Sequence, residues 1–462
     1  MRKLIVIILF LISYQAISQE LTDVLSLEEY LGYVKKFHPL VKQANLVITE
    51  SEAKLLKSRG AFDPKLEVDY DRKEFKDSEY FDKLNATFKI PTWYGVEFKA
   101  NFEQNSGIFL NPEAFLPDDG LYGVGVSVSL ARGFLMNERM SMLKQAKFFV
   151  EQAKADRQLA VNKVLFEASK TYFKWLKQYN EKLVFENFLT NAELRLRGVK
   201  QAYREGQNAA IDTLETGIIV NTRKLELEQA NIKYLKASLE LSTFLWLENN
   251  TPVELRDNMI PDNNTINDID LALSLTTFQL DTMNIDSHPK LISLDRKFEG
   301  LKVDKRLKAN RLLPQIDLEY NFLTENPQLI NSFDETEYKG GLKVRFPLFL
   351  RKERGDLRLA KVKLRDTEFE IAGTRVQLNN KISAVSQEIR SLQRQTGFAE
   401  RIVTDYETLL RAEERKFAVG ESSIFLVNSR ETKLIESKLK AIKVINDLLN
   451  SKATLFNTLA LE

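Results

Sequence analysis

The side chains best suited to chemistry in this chain of 462 residues are its two histidines, His38 and His288, and each is followed by proline. Histidine titrates near neutrality and serves as general base or metal ligand. The surroundings of the pair point elsewhere. Pro39 and Pro64 are 25 positions apart, and so are Pro289 and Pro314. Val68, Asp69 and Tyr70 correspond to Leu318, Glu319 and Tyr320 at an offset of 250. Two histidines at equivalent places of a duplicated unit are landmarks of a repeat rather than halves of one active site, and they fall short of the three or four ligands a zinc ion needs. His38, Pro39, Pro64, His288, Pro289 and Pro314 are read as structural, with no catalytic residue, metal or cofactor expected. A glycine-rich phosphate loop is also missing.

The elements around these landmarks alternate between two periods. Leu66, Val68 and Tyr70 alternate with Glu67 and Asp69, and Ile316, Leu318 and Tyr320 with Asp317 and Glu319. That is a strand with one apolar face. Two more strands follow at Gly123–Gly133 and Gly340–Phe349, the latter ending in "FPLF" (Phe346–Phe349). The first half carries an additional pair, Lys83–Ile90 and Gly95–Gln104, joined by "PTWY". This pair is expected either in the main sheet or in an accessory ribbon. Trp93 and Tyr94 read either as an interfacial aromatic girdle or as a simple turn.

Each half then becomes helix. Asn137 to Ala202 contains no proline and one glycine, enough for a helix of about 100 Å. Leu189, Ala192, Leu196, Val199 and Tyr203 step by 3 and 4, and Val403, Tyr406, Leu410 and Phe417 match four of these places at an offset of 214. Ile382, Val385, Ile389 and Leu392 repeat the spacing. These are coiled-coil seams. Trp175, Tyr172 and Tyr179 are assigned to packing. Short turns end the long helices at Tyr203–Glu215 and Phe417–Ser429, where Gly206 and Gly420 suit a helix C-terminus and Asn208, Ser422 or Ser423 suit the cap of the returning helix. The return helices are expected to pass through Phe244–Leu247 and to reach the C-terminus.

Residues 1–18 read as a secretory signal peptide: Arg2 and Lys3, an apolar run from Leu4 to Ile12 too short to span a bilayer, then "AIS". The expected organisation is a signal peptide (1–18), a first repeat (19–248), a linker or equatorial segment (249–285) and a second repeat (286–462). No cysteine is present, so disulfides and cysteine-borne lipids do not operate. With 67 basic and 65 acidic side chains interspersed, no concentrated basic face is available for nucleic acid.

An exported chain with half-apolar strands suggests a membrane barrel. Four to six strands cannot close around a pore, and hydrocarbon does not tolerate an open sheet edge. Several copies must therefore share one barrel, with the charged helices projecting on the periplasmic side. On the duplicated His-Pro helix starts, the proline-led strands, the "FPLF" end and the "FAVGESS" turn, the whole mature chain resembles the TolC family of outer-membrane efflux proteins. The resemblance implies an α+β membrane protein: a transmembrane β-barrel shared by a homotrimer, in contact with outer-membrane lipid, and a long periplasmic α-helical coiled-coil tunnel. It implies a passive conduit, not an enzyme, in the outer membrane and extending into the periplasm. Substrates would be delivered by an inner-membrane pump of RND or ABC type through a periplasmic adaptor, in a multi-component efflux or type I secretion system.

In that resemblance Tyr203, Gly206, Gln207, Ile211, Phe417, Gly420, Ser422 and Ser423 form the adaptor-docking tip, and Asp212 the acidic ring at the pore entrance. The second repeat departs from the pattern, with Leu426 where a second acidic residue would stand. Two strands per repeat give twelve in a trimer; the additional pair gives eighteen if it joins. The alternative is a periplasmic coiled-coil adaptor or scaffold without a pore.

Overall fold

The computed structural model describes residues 23–275, 284–328 and 334–462; the expected signal peptide lies outside them. Seven main helices carry the fold: α1 (Leu27–Phe37), α2 (Pro39–Arg59), α3 (Glu138–Arg204), α4 (Ala210–Ser242), α5 (Pro289–Asn310), α6 (Arg351–Ala418) and α7 (Ile424–Leu459). The main sheet holds β1 (Lys65–Phe75), β2 (Ser78–Pro91), β3 (Val96–Ser106), β4 (Leu121–Ala131), β5 (Gln315–Thr324) and β6 (Tyr338–Arg345). The chain forms two compact units, one of residues 45–157 and 286–376, the other of residues 23–44, 158–285 and 377–462 among those described. Each unit draws on both halves of the sequence, because strands and helices pack with their counterparts rather than with their chain neighbours.

The first unit contains the sheet, in the order β6-β5-β4-β3-β2-β1 with every neighbouring pair antiparallel. The additional hairpin of the first half is therefore part of the main sheet. β6 ends at Arg345, so "FPLF" lies beyond the strand rather than inside it. The helices join the sheet at one end: α2 leads into β1, β4 into α3, α5 into β5, and β6 into α6. At that end Asn310 donates to the carbonyl of Met136 at 2.7 Å, and Met136, Met140, Val303 and Leu307 form a small core.

The second unit has a larger core. Tyr30 and Val34 of α1, Tyr172, Phe173 and Trp175 of α3, Leu241 of α4, and Leu449 and Phe456 of α7 are buried together. Tyr172 donates to the carbonyl of Leu25 at 2.7 Å, and burial pushes its phenol up to about 12. Tyr179 lies at the margin, with its ring 5.9 Å from that of Tyr234. The segment expected as a linker belongs to this core: a short helix, Thr265–Ala272, buries Ile269, and Ile260–Pro261 pairs in parallel with Val24–Leu25. The alternating Asn and Asp of the segment concealed the few apolar anchors. α4 also stops earlier than expected, at Ser242, because Trp246–Leu247 turns back to pair with Thr251–Pro252.

The histidines have one role twice. Nδ1 of His38 accepts from the Leu40 N–H at 3.2 Å, and Nδ1 of His288 accepts from the Lys290 N–H at 3.1 Å. Each imidazole caps a helix whose first residue is proline, where the missing N–H costs nothing. His38 stacks on Phe244, centroids 5.3 Å apart, and burial lowers its pKa although the Thr243 carbonyl opposes the shift.

Candidate pore wall and helix tips

The register of the six strands sorts their side chains onto two faces, with Arg72 and Asp82 at the end far from the helices as the charged pair on the otherwise apolar one. Leu66, Val68 and Tyr70 lie opposite Phe88, Ala86 and Leu84; Phe88 and Ile90 continue to Ala100 and Phe98; Phe98 and Ala100 to Val126 and Val124. Val126 and Val128 face Tyr320 and Leu318, which face Gly340 and Leu342. Up to Tyr70 and Leu84 this is one uncharged surface across all six strands, and much of it is open, with Leu66 at 69% and Leu342 at 67% exposure. The intervening positions form the other face: Glu67 and Lys89, Lys99 and Glu103, Ser127 and Ser129, Asp317 and Glu319, Lys343 and Arg345.

The charged face is concave. Lys99 of β3 reaches across β4 to Glu319 of β5 at 3.0 Å, and Lys339 of β6 comes within 3.6 Å of Glu103 of β3. In a flat sheet β3 and β6 are separated by about 14 Å, three strand spacings. β4 makes the curvature possible by carrying Gly123, Gly125, Ser127 and Ser129 on this face. An added Cβ at Gly125 runs into Asn321, and one at Gly123 into Asn101. The neighbours close over the space left by the missing side chains.

Aromatic rings gather at both ends of the apolar face. Far from the helices, Tyr80 and Phe109 lie 4.6 Å apart, Phe102 and Tyr122 4.8 Å, and Tyr320 and Tyr338 5.1 Å. Near the helices, Trp93 stacks on Phe62 at 5.6 Å and Tyr94 approaches Phe134 at 5.9 Å. "PTWY" is a turn, closed by the Thr92 N–H on the Val96 carbonyl, and its Trp93 packs against the small core of Met136, Met140, Val303 and Leu307.

The two tips share a backbone design at an offset of 214. Gly206 and Gly420 have φ of 79° and 80°. Gln207 donates its N–H to the Ala202 carbonyl and Glu421 to that of Lys416, both at 2.9 Å. These 6→1 bonds close each long helix at a left-handed glycine. The caps of the return helices differ. Ser423 caps α7 with its hydroxyl, accepting from the Leu426 N–H at 3.4 Å. In α4 the corresponding residue is Ala209, and Asp212 works from the other side, its carboxylate accepting from the Ala209 N–H at 3.3 Å. Asn208 lies one residue outside this cap. Ser422 donates instead to Glu413 at 2.5 Å. Tyr203, Ile211 and Val419 are exposed. Tyr203 therefore closes no seam within the chain, whereas Phe417 packs beside Val427 and Leu410.

Sequence reading missed two features. Glu431, fully buried, lies 2.7 Å from Arg195 and 3.6 Å from Arg223, and Arg195 also meets Glu414 at 3.2 Å. Its position, four residues after Val427 and three before Leu434, puts a carboxylate in an apolar stripe and was readable. The other is the stripe on α4: Ile211, Leu214, Ile218, Leu225, Ile232, Leu235 and Leu239, at steps of 3, 4 and 7, all exposed. It is a coiled-coil seam that no helix covers among the described residues. Among the described residues, no helix is long and apolar enough to cross a membrane.

The family model of outer membrane efflux proteins matches residues 304–461. The fold of the whole chain is that of solved outer-membrane channels. The MtrE outer membrane channel of Neisseria gonorrhoeae, in its open state, superposes with a TM-score of 0.67 at 12% identity, over 94% of this chain and 88% of that one. The CmeC outer membrane channel of Campylobacter jejuni gives 0.65 at 12%, covering 94% and 85%. The outer membrane protein VceC of Vibrio cholerae gives 0.65 at 11%, covering 94% and 96%. No curated protein matches the chain by sequence.

Proposed function

We propose that this chain is the outer-membrane channel subunit of a multi-component efflux or type I secretion system. It is a passive conduit for substrates that an inner-membrane pump delivers through a periplasmic adaptor. The observation that carries the reading is the six-stranded sheet, with an uncharged band across its convex face, bounded by Arg72 and Asp82 far from the helices, and charge over its concave face. In lipid a charged strand position costs about 2–4 kcal/mol at mid-depth, so a sheet this cleanly sorted suits one side in hydrocarbon and the other in water. A pore-free adaptor has no use for that separation.

The subunits assemble as a homotrimer in this reading. The seam of α4 supplies a helical surface for a neighbouring copy, and the sheet edges must be covered because open edges are not tolerated in hydrocarbon. The tips, Tyr203 to Ile211 and Phe417 to Ser423, face the adaptor, and their exposed Tyr203, Ile211 and Val419 offer apolar contact. Three copies of Asp212 line the entrance in addition to capping α4, repelling one another and favouring cations. Leu426 leaves the second repeat without such a ring.

The test is single-channel recording of the detergent-purified mature protein in planar bilayers, beside Asp212→Ala. Discrete openings are expected, with reduced cation preference in the variant. A protein that stays soluble without detergent and never conducts overturns the proposal and favours the scaffold. An unchanged preference removes Asp212 from the entrance while leaving the channel in place.

A further inference from the structure

We infer that the membrane barrel of this protein is built from six strands per subunit, eighteen in the trimer, and closes by pairing β1 of one copy with β6 of the next. The inference rests on the channel reading above and adds the strand count, the closing edges and the width of the pore.

Three observations carry it. β2 and β3 are not an appendage. β2 pairs with β1 along eleven residues and β3 with β4 along eight, and they continue both faces of the sheet, with Ala86 and Phe88 outward and Thr87 and Lys89 inward. A hairpin outside the barrel would not need a face matched to hydrocarbon and an opposite face matched to the lumen.

The edges also fit each other in direction. β1 runs away from the helix-bearing end and β6 runs towards it. Meeting edge to edge, they pair antiparallel, and the even number of strands keeps the closed barrel antiparallel throughout, as membrane barrels are. Both edge strands are exposed along their whole length.

Charge is complementary across the proposed joint. On the lumen face β1 presents Glu67, Asp69 and Asp71 between Lys65 and Lys73 at its two ends, and β6 presents Lys339, Lys343 and Arg345. Among the described residues Asp69, Asp71 and Lys343 make no ion pair within the chain, although Lys89, Glu103 and Asp317 engage the others. Like signs on both edges would repel; here acids of one copy meet bases of the next. On the outward face Leu66, Val68 and Tyr70 come beside Leu342 and Val344, continuing the apolar band across the joint.

The consequence is a wider membrane pore. Strands about 4.8 Å apart and tilted by about 40° give a backbone diameter of about 36 Å for eighteen strands and about 24 Å for twelve. The lumen at the level of the outer membrane therefore has about twice the cross-section of a four-strand-per-subunit design.

The absence of native cysteine allows a direct test. Asp69→Cys is combined in turn with Gly341→Cys, Lys343→Cys and Arg345→Cys, which covers neighbouring registers. A second panel combines Asn101→Cys of β3 with the same three partners. The full-length trimer is oxidised in detergent and run on denaturing gels. Covalent dimers and trimers from at least one β1–β6 combination, and none from β3–β6, are the expected result. Cross-links from β3–β6 overturn the inference, since the barrel would then close on β3 with β1 and β2 outside. Trimers that cross-link in neither panel overturn it as well. Imaging of the unmodified trimer counts strands without any substitution, eighteen being expected and twelve fatal. A particle that never exceeds one copy fails the channel reading itself, which sets that failure apart from an error in strand count.

Discussion

The two helical tips are built alike and buried differently. Both long helices end on a glycine at φ near 80°, with the same 6→1 hydrogen bond. The return helices then diverge. At equivalent places Ile211 and Phe425 are both exposed, at 69% and 66%, and Val220 and Leu434 both buried, but Leu214 is exposed where Asn428 is buried, and α7 adds the buried Val427 and Ile435, packed with Phe188 and Leu410. Glu431 of α7 anchors Arg195 and Arg223, and Gly217 occupies the corresponding place in α4. One backbone motif thus leads into a helix whose Val427, Leu434 and Ile435 are covered within the chain and another whose Leu214, Ile218 and Leu225 are covered by nothing among the described residues. A motif sets the geometry of a turn; the residues following it decide what the turn presents.

This comparison can be broken in several ways. The largest effect is expected from Ile218→Asp with Leu225→Asp. At about 1.5–3 kcal/mol for each buried aliphatic side chain, the pair removes about 3–6 kcal/mol per copy from the joint. The mass in detergent should fall to that of one subunit while circular dichroism keeps its helical content; an intact trimer would show that the α4 stripe faces no neighbour. Next comes Glu431→Ala, which leaves two buried guanidinium groups without their shared carboxylate. Breaking a buried pair from one side costs about 3–5 kcal/mol, read as a lower denaturant midpoint. A change below about 1 kcal/mol would mean that Arg195 is satisfied by Glu414 alone.

Smaller effects sharpen the contrast between the caps. Ser423→Ala and Asp212→Ala should each cost about 1 kcal/mol. Leu426→Glu in the Ser423→Ala background should recover part of the loss, because it moves the cap to the side used by α4. No recovery would mean that the second tip cannot adopt the first tip's solution.

The smallest effect concerns His38, whose folded pKa lies below the ordinary value. As pH falls through about 6.5, the unfolded chain takes up the proton before the folded one, so stability declines towards acid. His38 contributes fully above that value and loses its contribution below it, when a proton on Nδ1 displaces the Leu40 N–H. Unfolding midpoints at pH 7.5 and 5.5 should separate more for the wild type than for His38→Asn, which caps without titrating. Equal slopes would remove His38 from the acid response.

Much of this was legible in the primary sequence because it rests on local chemistry. Period-two alternation placed the six strands, since a strand exposes alternate side chains to opposite faces. The proline-free stretches placed the long helices, and the glycines of the two turns placed the tips. The His-Pro pairs signalled equivalent positions, and their function as caps follows from the reach of an imidazole to the next turn's N–H. What the sequence could not decide depends on which surfaces meet. Asn208 is a plausible cap until the first helical residue is fixed, and the Asn-rich segment around Ile269 conceals its anchors until a core receives them. The place of the β2–β3 hairpin was undecided for the same reason. Alternation is identical in a main sheet and an accessory ribbon, and only hydrogen bonding to β1 and β4 distinguishes them. Side-chain type and spacing determine what an element can bury; its partner, set by tertiary packing, determines what it does bury.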